Sequence, residues 1–270
     1  DKTGTLTRNE MMAADVVIAD QVYQITGEGY APAGGILRNG QTLAAGADPL
    51  LTAFARAAYW CNDARLHEQE GQWCTEGDPM EGALLALAGK ISGQGGQAFG
   101  GHTRLDAVPF DAAHRYMAVL SLDSDGLPHI YVKGAPEALL AMCAQQRTPE
   151  GNAPLDADYW LQQVEKLAEK GRRVLAVAER AAAAGQTALS SADIAQSLQF
   201  IGLVGLIDPP RAEAVAAVQQ CREAGIQVKM ITGDHAATAR AIAREIGLTH
   251  TDNVLTGNDL DFIDDAGLAG

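Results

Sequence analysis

Ile201-Gly202-Leu203-Val204-Gly205-Leu206 is an apolar run that ends at Asp208-Pro209-Pro210-Arg211. Beyond it the pattern alternates, with a helical stretch over Glu213 to Ala224, an apolar strand over Gln227 to Ile231 and a second helix over Ala236 to Ile246. Strand, helix, strand, helix at this spacing predicts parallel strands joined by right-handed crossovers. Upstream, between about residues 9 and 200, the texture differs. Val16 to Ile18 and Val22 to Ile25 read as short strands, Asn39-Gly40 as a hairpin turn, and Tyr116 to Leu122 as a strand running towards a turn at Asp125-Gly126. Helices are expected after Asp48-Pro49, Asp78-Pro79 and Ala135-Pro136, where proline fits the first turn, and another near Asp156. The fold class is therefore mixed, α/β and α+β: an antiparallel sheet with helices, inserted in an open parallel-sheet domain. The expected boundaries are 1–8 and 206–270 for the parallel-sheet domain and 9–205 for the inserted module.

The composition suits a globular chain, with 47% hydrophobic and 5% aromatic residues among 270. Its 20 Lys and Arg against 34 Asp and Glu leave a formal charge of −14, which argues against a nucleic-acid or anionic-membrane binder. The same field opposes a free nucleotide, so any such site must gather its own Arg and Lys. Cys61, Cys74, Cys143 and Cys221 show no C-x-x-C spacing, hence neither a zinc knuckle nor a redox pair, and a reducing cytosol is expected. No stretch approaches the roughly 18 to 20 apolar residues that cross a bilayer, and no signal peptide is expected ahead of Asp1.

Chemistry is concentrated in a few strings. Asp1-Lys2-Thr3-Gly4-Thr5-Leu6-Thr7 sets a carboxylate before small and hydroxyl-bearing residues. A carboxylate that attacks a phosphoryl group needs backbone N–H donors wrapped round it, and Gly4 with flanking Thr permits that approach. The plainer reading is an Asp that caps a first turn. Thr232-Gly233-Asp234 follows an apolar strand and precedes a helix, where an open parallel sheet presents its ligand loops, although a capped turn has the same pattern. The two prolines after Asp208 give either a stiff connection between domains or a proline-started helix capped by Asp208. Gly93-x-Gly95-x-x-Ala98 follows a helix, not a strand, and is set aside as a dinucleotide fingerprint; there is no P-loop string either.

The Asp1–Thr7 string resembles the phosphorylation motif of the P-type ATPases, ion pumps that form an aspartyl phosphate. In the related haloacid-dehalogenase phosphatases a second Asp acts as general acid and base two residues on; here Thr3 stands there, which suits an intermediate that must be held rather than hydrolysed. Further matches follow in the order the pumps require. Gly77-Asp78-Pro79-Met80-Glu81-Gly82-Ala83-Leu84 resembles the segment whose Glu contacts adenine, although Asp78 and Glu81 also suit a capping box. Phe110-Asp111-Ala112-Ala113-His114-Arg115-Tyr116-Met117 resembles the segment whose Phe stacks on the base. By that match Phe110 stacks, Arg115 meets phosphate and Met117 lines the pocket; judged singly, Phe110 reads as a core aromatic. Lys133-Gly134-Ala135-Pro136-Glu137 resembles the K-G-A-P-E of the adenosine pocket, and Gly171-Arg172-Arg173-Val174-Leu175-Ala176 the segment whose Arg, here Arg173, approaches the β-phosphate. Met230-Ile231-Thr232-Gly233-Asp234-His235 resembles the loop beside the phosphorylated Asp.

The resemblance implies a Rossmann-like, haloacid-dehalogenase-type phosphorylation domain interrupted by a nucleotide-binding domain, of the type II-like branch. It implies ATP and Mg2+ as cofactors, Asp1, Lys2, Thr3, Thr232, Gly233 and Asp234 as catalytic residues, and Asp1 and Thr3 at the metal. Glu81, Phe110, Arg115, Met117, Lys133, Gly134, Arg173, Asp208 and Arg211 are then the nucleotide-binding candidates. Expected partners are the transmembrane and actuator domains of a full-length pump, at the cytoplasmic face of a membrane, with no nucleic acid and no membrane insertion by this chain. The pumps also use a Lys and a G-D-G-V-N-D loop downstream, which the sequence does not contain before Gly270, so the fragment is expected to bind nucleotide without turning it over. The rival functions are a soluble phosphatase with a large cap and a stand-alone nucleotide-binding module.

Overall fold

A computed structural model describes residues 4–95, 99–232, 236–251 and 254–255. Contacts divide the chain into two compact units: Glu10–Leu167 with Arg172–Ile207, and the segment to Asn9 with Ala168–Gly171 and the segment from Asp208 onward.

In chain order the larger unit contains β1 (Met12–Ile18), β2 (Gln21–Ile25), β3 (Ile36–Arg38), β4 (Gln41–Leu43), α1 (Pro49–Trp60), β5 (Arg65–Gln69), β6 (Gln72–Glu76) and α2 (Pro79–Ser92). It continues through β7 (Thr103–Asp111), β8 (Tyr116–Leu122), β9 (Pro128–Gly134), α3 (Pro136–Met142), β10 (Cys143–Thr148), β11 (Gly151–Pro154), α4 (Ala157–Glu169), β12 (Arg173–Ala181), α5 (Ser191–Ile194) and β13 (Leu198–Ile207). Two of these, β5 and β6, form a separate hairpin, and the remaining strands make one sheet in the order β4-β3-β2-β1-β13-β12-β9-β8-β7. Every neighbour along that path is antiparallel. Beside them β10 pairs in parallel with the start of β13 and antiparallel with β11.

Local chemistry explains most boundaries. Asn39 and Gly40 both take positive φ, 52° and 76°, as a two-residue hairpin turn between twisted strands requires. The Asp48 carboxylate accepts from the Leu50 and Leu51 N–H groups, and Asp78 from Met80 and Glu81, so α1 and α2 have side-chain caps, whereas α3, the third helix started by proline, follows Ala135 and has none. Gly93 closes α2 in the left-handed conformation, so the glycine-rich stretch begins as a helix stop. On one face of the sheet Met117, Val119, Tyr131 and Val177 pack with Leu51, Phe54, Leu84 and Leu87 of α1 and α2. On the other, Ala118, Ile130, Val132 and Ala176 pack with Leu139, Trp160, Leu167 and Ile194 of α3, α4 and α5. The sheet is thus covered on both sides.

This arrangement corrects the reading of Ile201 to Leu206. That run is the centre of β13, paired antiparallel with β1 and β12, and does not open a parallel sheet. A strand covered on both faces is apolar throughout whichever way its neighbours run, so its composition cannot report its pairing. In the smaller unit, α6 (Ala212–Glu223) and α7 (Ala236–Glu245) form as expected. The strand expected at Gln227 to Ile231 pairs with no other segment among the described residues, and Ile231 is 78% exposed. Apolar residues supply a tendency to extend; a strand also needs a partner backbone. Helix α6 does not start at the prolines either, because its N-cap is Arg211, with no side-chain bond, and Pro210 sits in an extended bridge opposite Thr7. Asp208 is therefore not its cap. No helix among the described residues is long and apolar enough to cross a membrane.

Candidate functional site

Strand register brings the separated motifs of the larger unit together. Asp111 lies opposite Tyr116, Tyr116 opposite Gly134, and Gly134 opposite Ala176, a single row across β7, β8, β9 and β12. Phe110, Arg115 and Lys133 adjoin this row, and Arg173 opens β12 three positions from it. The β7–β8 turn is tight, with the Arg115 N–H donating to the Asp111 carbonyl at 2.6 Å, the Ala113 N–H to the Asp111 carboxylate at 2.7 Å, and Arg115 at φ 61°. It leaves the Phe110 ring 64% exposed, which removes the core-aromatic reading. Gly134 has a steric reason, since a Cβ there would lie 2.4 Å from the Arg115 carbonyl oxygen and 2.7 Å from the Tyr116 Cα.

Lys133 is buried, and its ammonium pairs with the Glu81 carboxylate, whose other oxygen accepts from the Asp63 N–H at 3.2 Å. Glu81 therefore does not complete a capping box; Asp78 caps α2 and the Glu81 side chain points elsewhere. Met117, opposite Lys133, is buried in the core at 2% exposure, and its carbonyl accepts from the Cys61 thiol at 3.6 Å. Burial pushes that thiol up to about 11, with the nearby Lys133 charge opposing the shift. The Arg115 guanidinium meets the Glu137 carboxylate at 2.5 Å, linking the Phe110–Met117 and Lys133–Glu137 motifs.

The adjacent arginines of Gly171-Arg172-Arg173 divide their work. Arg172 lies across Gly205, where a Cβ would come 3.0 Å from its Cγ, and its Nε donates to the buried Asp15 carboxylate at 2.9 Å. Arg173, the next residue, is exposed. In the smaller unit, Thr7 donates to the Asp208 carboxylate at 2.6 Å while Arg211 Nε donates to the Thr7 carbonyl at 2.9 Å. Backbone bonds from Arg8 to Pro209 and from Arg211 to Leu6 tie the same two segments. Thr232 is partly exposed. Asp1, Lys2, Thr3, Gly233 and Asp234 lie outside the described residues. Among the described residues no group of three or more His, Cys, Asp or Glu could hold a metal ion. Sequence reasoning did not single out Asn62, Asp63, Arg104, Asp15 or Gly205; an Asn-Asp pair ending an apolar helix reads as an ordinary turn.

The family profile of the P-type ATPase cytoplasmic domain N matches residues 50–213. The chain belongs to the P-type ATPases. It is 41% identical over 254 residues to the cation-transporting ATPase pma1 of Synechocystis sp., covering 92% of this chain and 28% of that protein. It is 34% identical to a calcium-transporting ATPase of Bacillus subtilis over 92% of this chain and 28% of the relative. It is 33% identical to the human calcium-transporting ATPase type 2C member 1 over 98% of this chain and 28% of the relative. The chain thus spans less than a third of the length of these relatives. The match to P-type ATPase domain N encloses Glu81, Phe110, Arg115, Met117, Lys133, Gly134, Arg173, Asp208 and Arg211, and includes the whole row across the sheet.

Proposed function

We propose that this chain is the cytoplasmic ATP-binding part of an ATP-driven cation pump that is phosphorylated on Asp1. The observation that carries the reading is the row from Asp111 to Ala176, which gathers one exposed aromatic, one buried ammonium and exposed guanidinium groups at the same end of four strands. Phe110 offers a π face for adenine, the Glu81–Lys133 pair offers polar groups for the edge of the adenosine, and Arg115 and Arg173 supply charge for the phosphates. In a chain of net charge −14 an anionic ligand needs cations close by; Lys133 and Arg115 are paired with Glu81 and Glu137, so the phosphates would compete with Glu137 for Arg115, and Arg173 and Mg2+ would add to it. Mg2+, carried with the nucleotide, offsets part of the triphosphate charge, and Asp1 and Thr3 are the residues assigned to it. Asp208 and Arg211, locked to Thr7, hold together the two segments on which the phosphorylation chemistry depends. The relatives' names support cation transport by the full-length protein, with its transmembrane and actuator domains as partners at the cytoplasmic face of a membrane.

The reading is tested by calorimetric titration of the chain with MgATP. Saturable binding is expected, weakened at least about tenfold in the Phe110→Ala, Lys133→Ala double variant. Equal binding by a folded double variant would overturn the pocket. For the full-length protein, labelled ATP should give an acid-stable adduct that is absent from Asp1→Asn.

A further inference from the structure

Glu81 is seated by a short connector that the proposed function leaves unused, Cys61-Asn62-Asp63-Ala64, which joins α1 to β5. The Asn62 amide donates to the Glu81 carbonyl at 3.0 Å and accepts from the Ala64 N–H at 2.9 Å, so both ends of its side chain are committed. The Asp63 N–H then donates to the Glu81 carboxylate at 3.2 Å. Behind it, the Asp63 carboxylate accepts from Arg104 Nη1 of β7 at 2.5 Å. The connector is also pressed on the start of α2: Gly77 takes φ 108°, and a Cβ there would lie 3.1 Å from the Ala64 Cα. Asn62 thus grips the main chain of Glu81 while the next residue and Lys133 grip its carboxylate.

We infer that Asn62, with Arg104 bracing Asp63 behind it, is a positioning residue that sets the preference of this site for a purine bearing a 6-amino group. The inference rests on the ATP reading above. An ionised carboxylate held by two donors has only acceptor capacity left, so it accepts from the 6-amino group of adenine and repels the 6-oxo group of hypoxanthine. The discrimination is geometric: the remaining lone pairs must face the base, and Asn62 fixes the backbone from which the carboxylate projects. Asn62→Asp keeps the size and the bond to Ala64 but replaces the donor to Glu81 with a negative charge.

The test is calorimetric titration of the 270-residue chain with MgATP and, separately, MgITP. The unmodified chain is expected to bind MgATP about tenfold more tightly than MgITP. Asn62→Asp should bring the two within about twofold, chiefly by weakening MgATP. A purely structural role would weaken both alike, and an unchanged ratio in a folded variant overturns the inference. Arg104→Gln, a change on the surface, should lower the ratio about twofold, while Arg104→Lys should retain it. If Asn62→Asp does not fold, an unchanged ratio in Arg104→Gln overturns the inference instead. Failure of the unmodified chain to bind either nucleotide defeats the ATP reading itself; equal binding of the two by the unmodified chain defeats only the inference.

Discussion

The Lys133 ammonium and the Glu81 carboxylate, 52 residues apart in the chain, form an ion pair with only 8% and 14% of their side chains exposed. Taking two charges this far out of water is costly, and their attraction offsets the cost only while both are present. Glu81→Ala or Lys133→Met alone should therefore destabilise the larger unit by about 2–4 kcal/mol in urea unfolding, whereas the double variant should lose less than the sum. Additive losses would show that the two groups do not depend on one another.

Phe110 behaves differently, because its ring is largely in water. Phe110→Ala should leave unfolding within about 0.5 kcal/mol of the parent while reducing MgATP affinity about tenfold. A large loss of stability would mean that the ring packs in the core after all.

Gly205 gives Arg172 its path to Asp15. Gly205→Val should force the arginine off β13, leave Asp15 buried without that donor and cost about 1–3 kcal/mol. Arg172→Met should act in the same direction, and Arg173→Met, one residue on, should be neutral for stability. Equal effects of the two arginine variants, measured by chemical denaturation, would contradict this division of roles.

In the smaller unit Asp208 is buried, and the Thr7 hydroxyl supplies a hydrogen bond to one of its oxygens. Thr7→Val keeps the shape and removes that donor, with an expected cost of about 1–3 kcal/mol to the pairing of residues 6–8 with 209–211. Faster hydrogen exchange at the Arg8 and Arg211 amides would report it; unchanged exchange would count against the role given to Thr7.

The Asp106 carboxyl is held below the usual carboxylate range, first by the Leu189 N–H and then by the Ala107 N–H. A depressed folded-state value stabilises above the unfolded pKa and is lost as pH falls through the lower, folded one. Protection of the Leu189 amide should therefore be constant from neutral pH down to about 4 and decline below it. In Asp106→Asn that decline should vanish; an identical acid profile would remove Asp106 as its cause.

Much of this protein was legible from local patterns. Prolines after Asp48, Asp78 and Ala135 marked helix starts, and Asn39-Gly40 marked a turn, because capping and positive φ are settled by a few adjacent atoms. The family resemblance was carried the same way, by short strings whose order survives in a linear reading. Pairing was not legible: Ile201 to Leu206 had the composition of a buried strand and nothing in it to say that β1 and β12 would flank it antiparallel. The same limit held at the site. Sequence alone nominated Phe110, Lys133, Glu81 and Arg173, but which arginine would be spent on Asp15, and that Asn62 would seat Glu81, depended on side chains meeting across tens of residues. Short-range sterics and hydrogen bonding determine where elements begin and end; long-range packing decides which polar groups are consumed as structure and which are left to act.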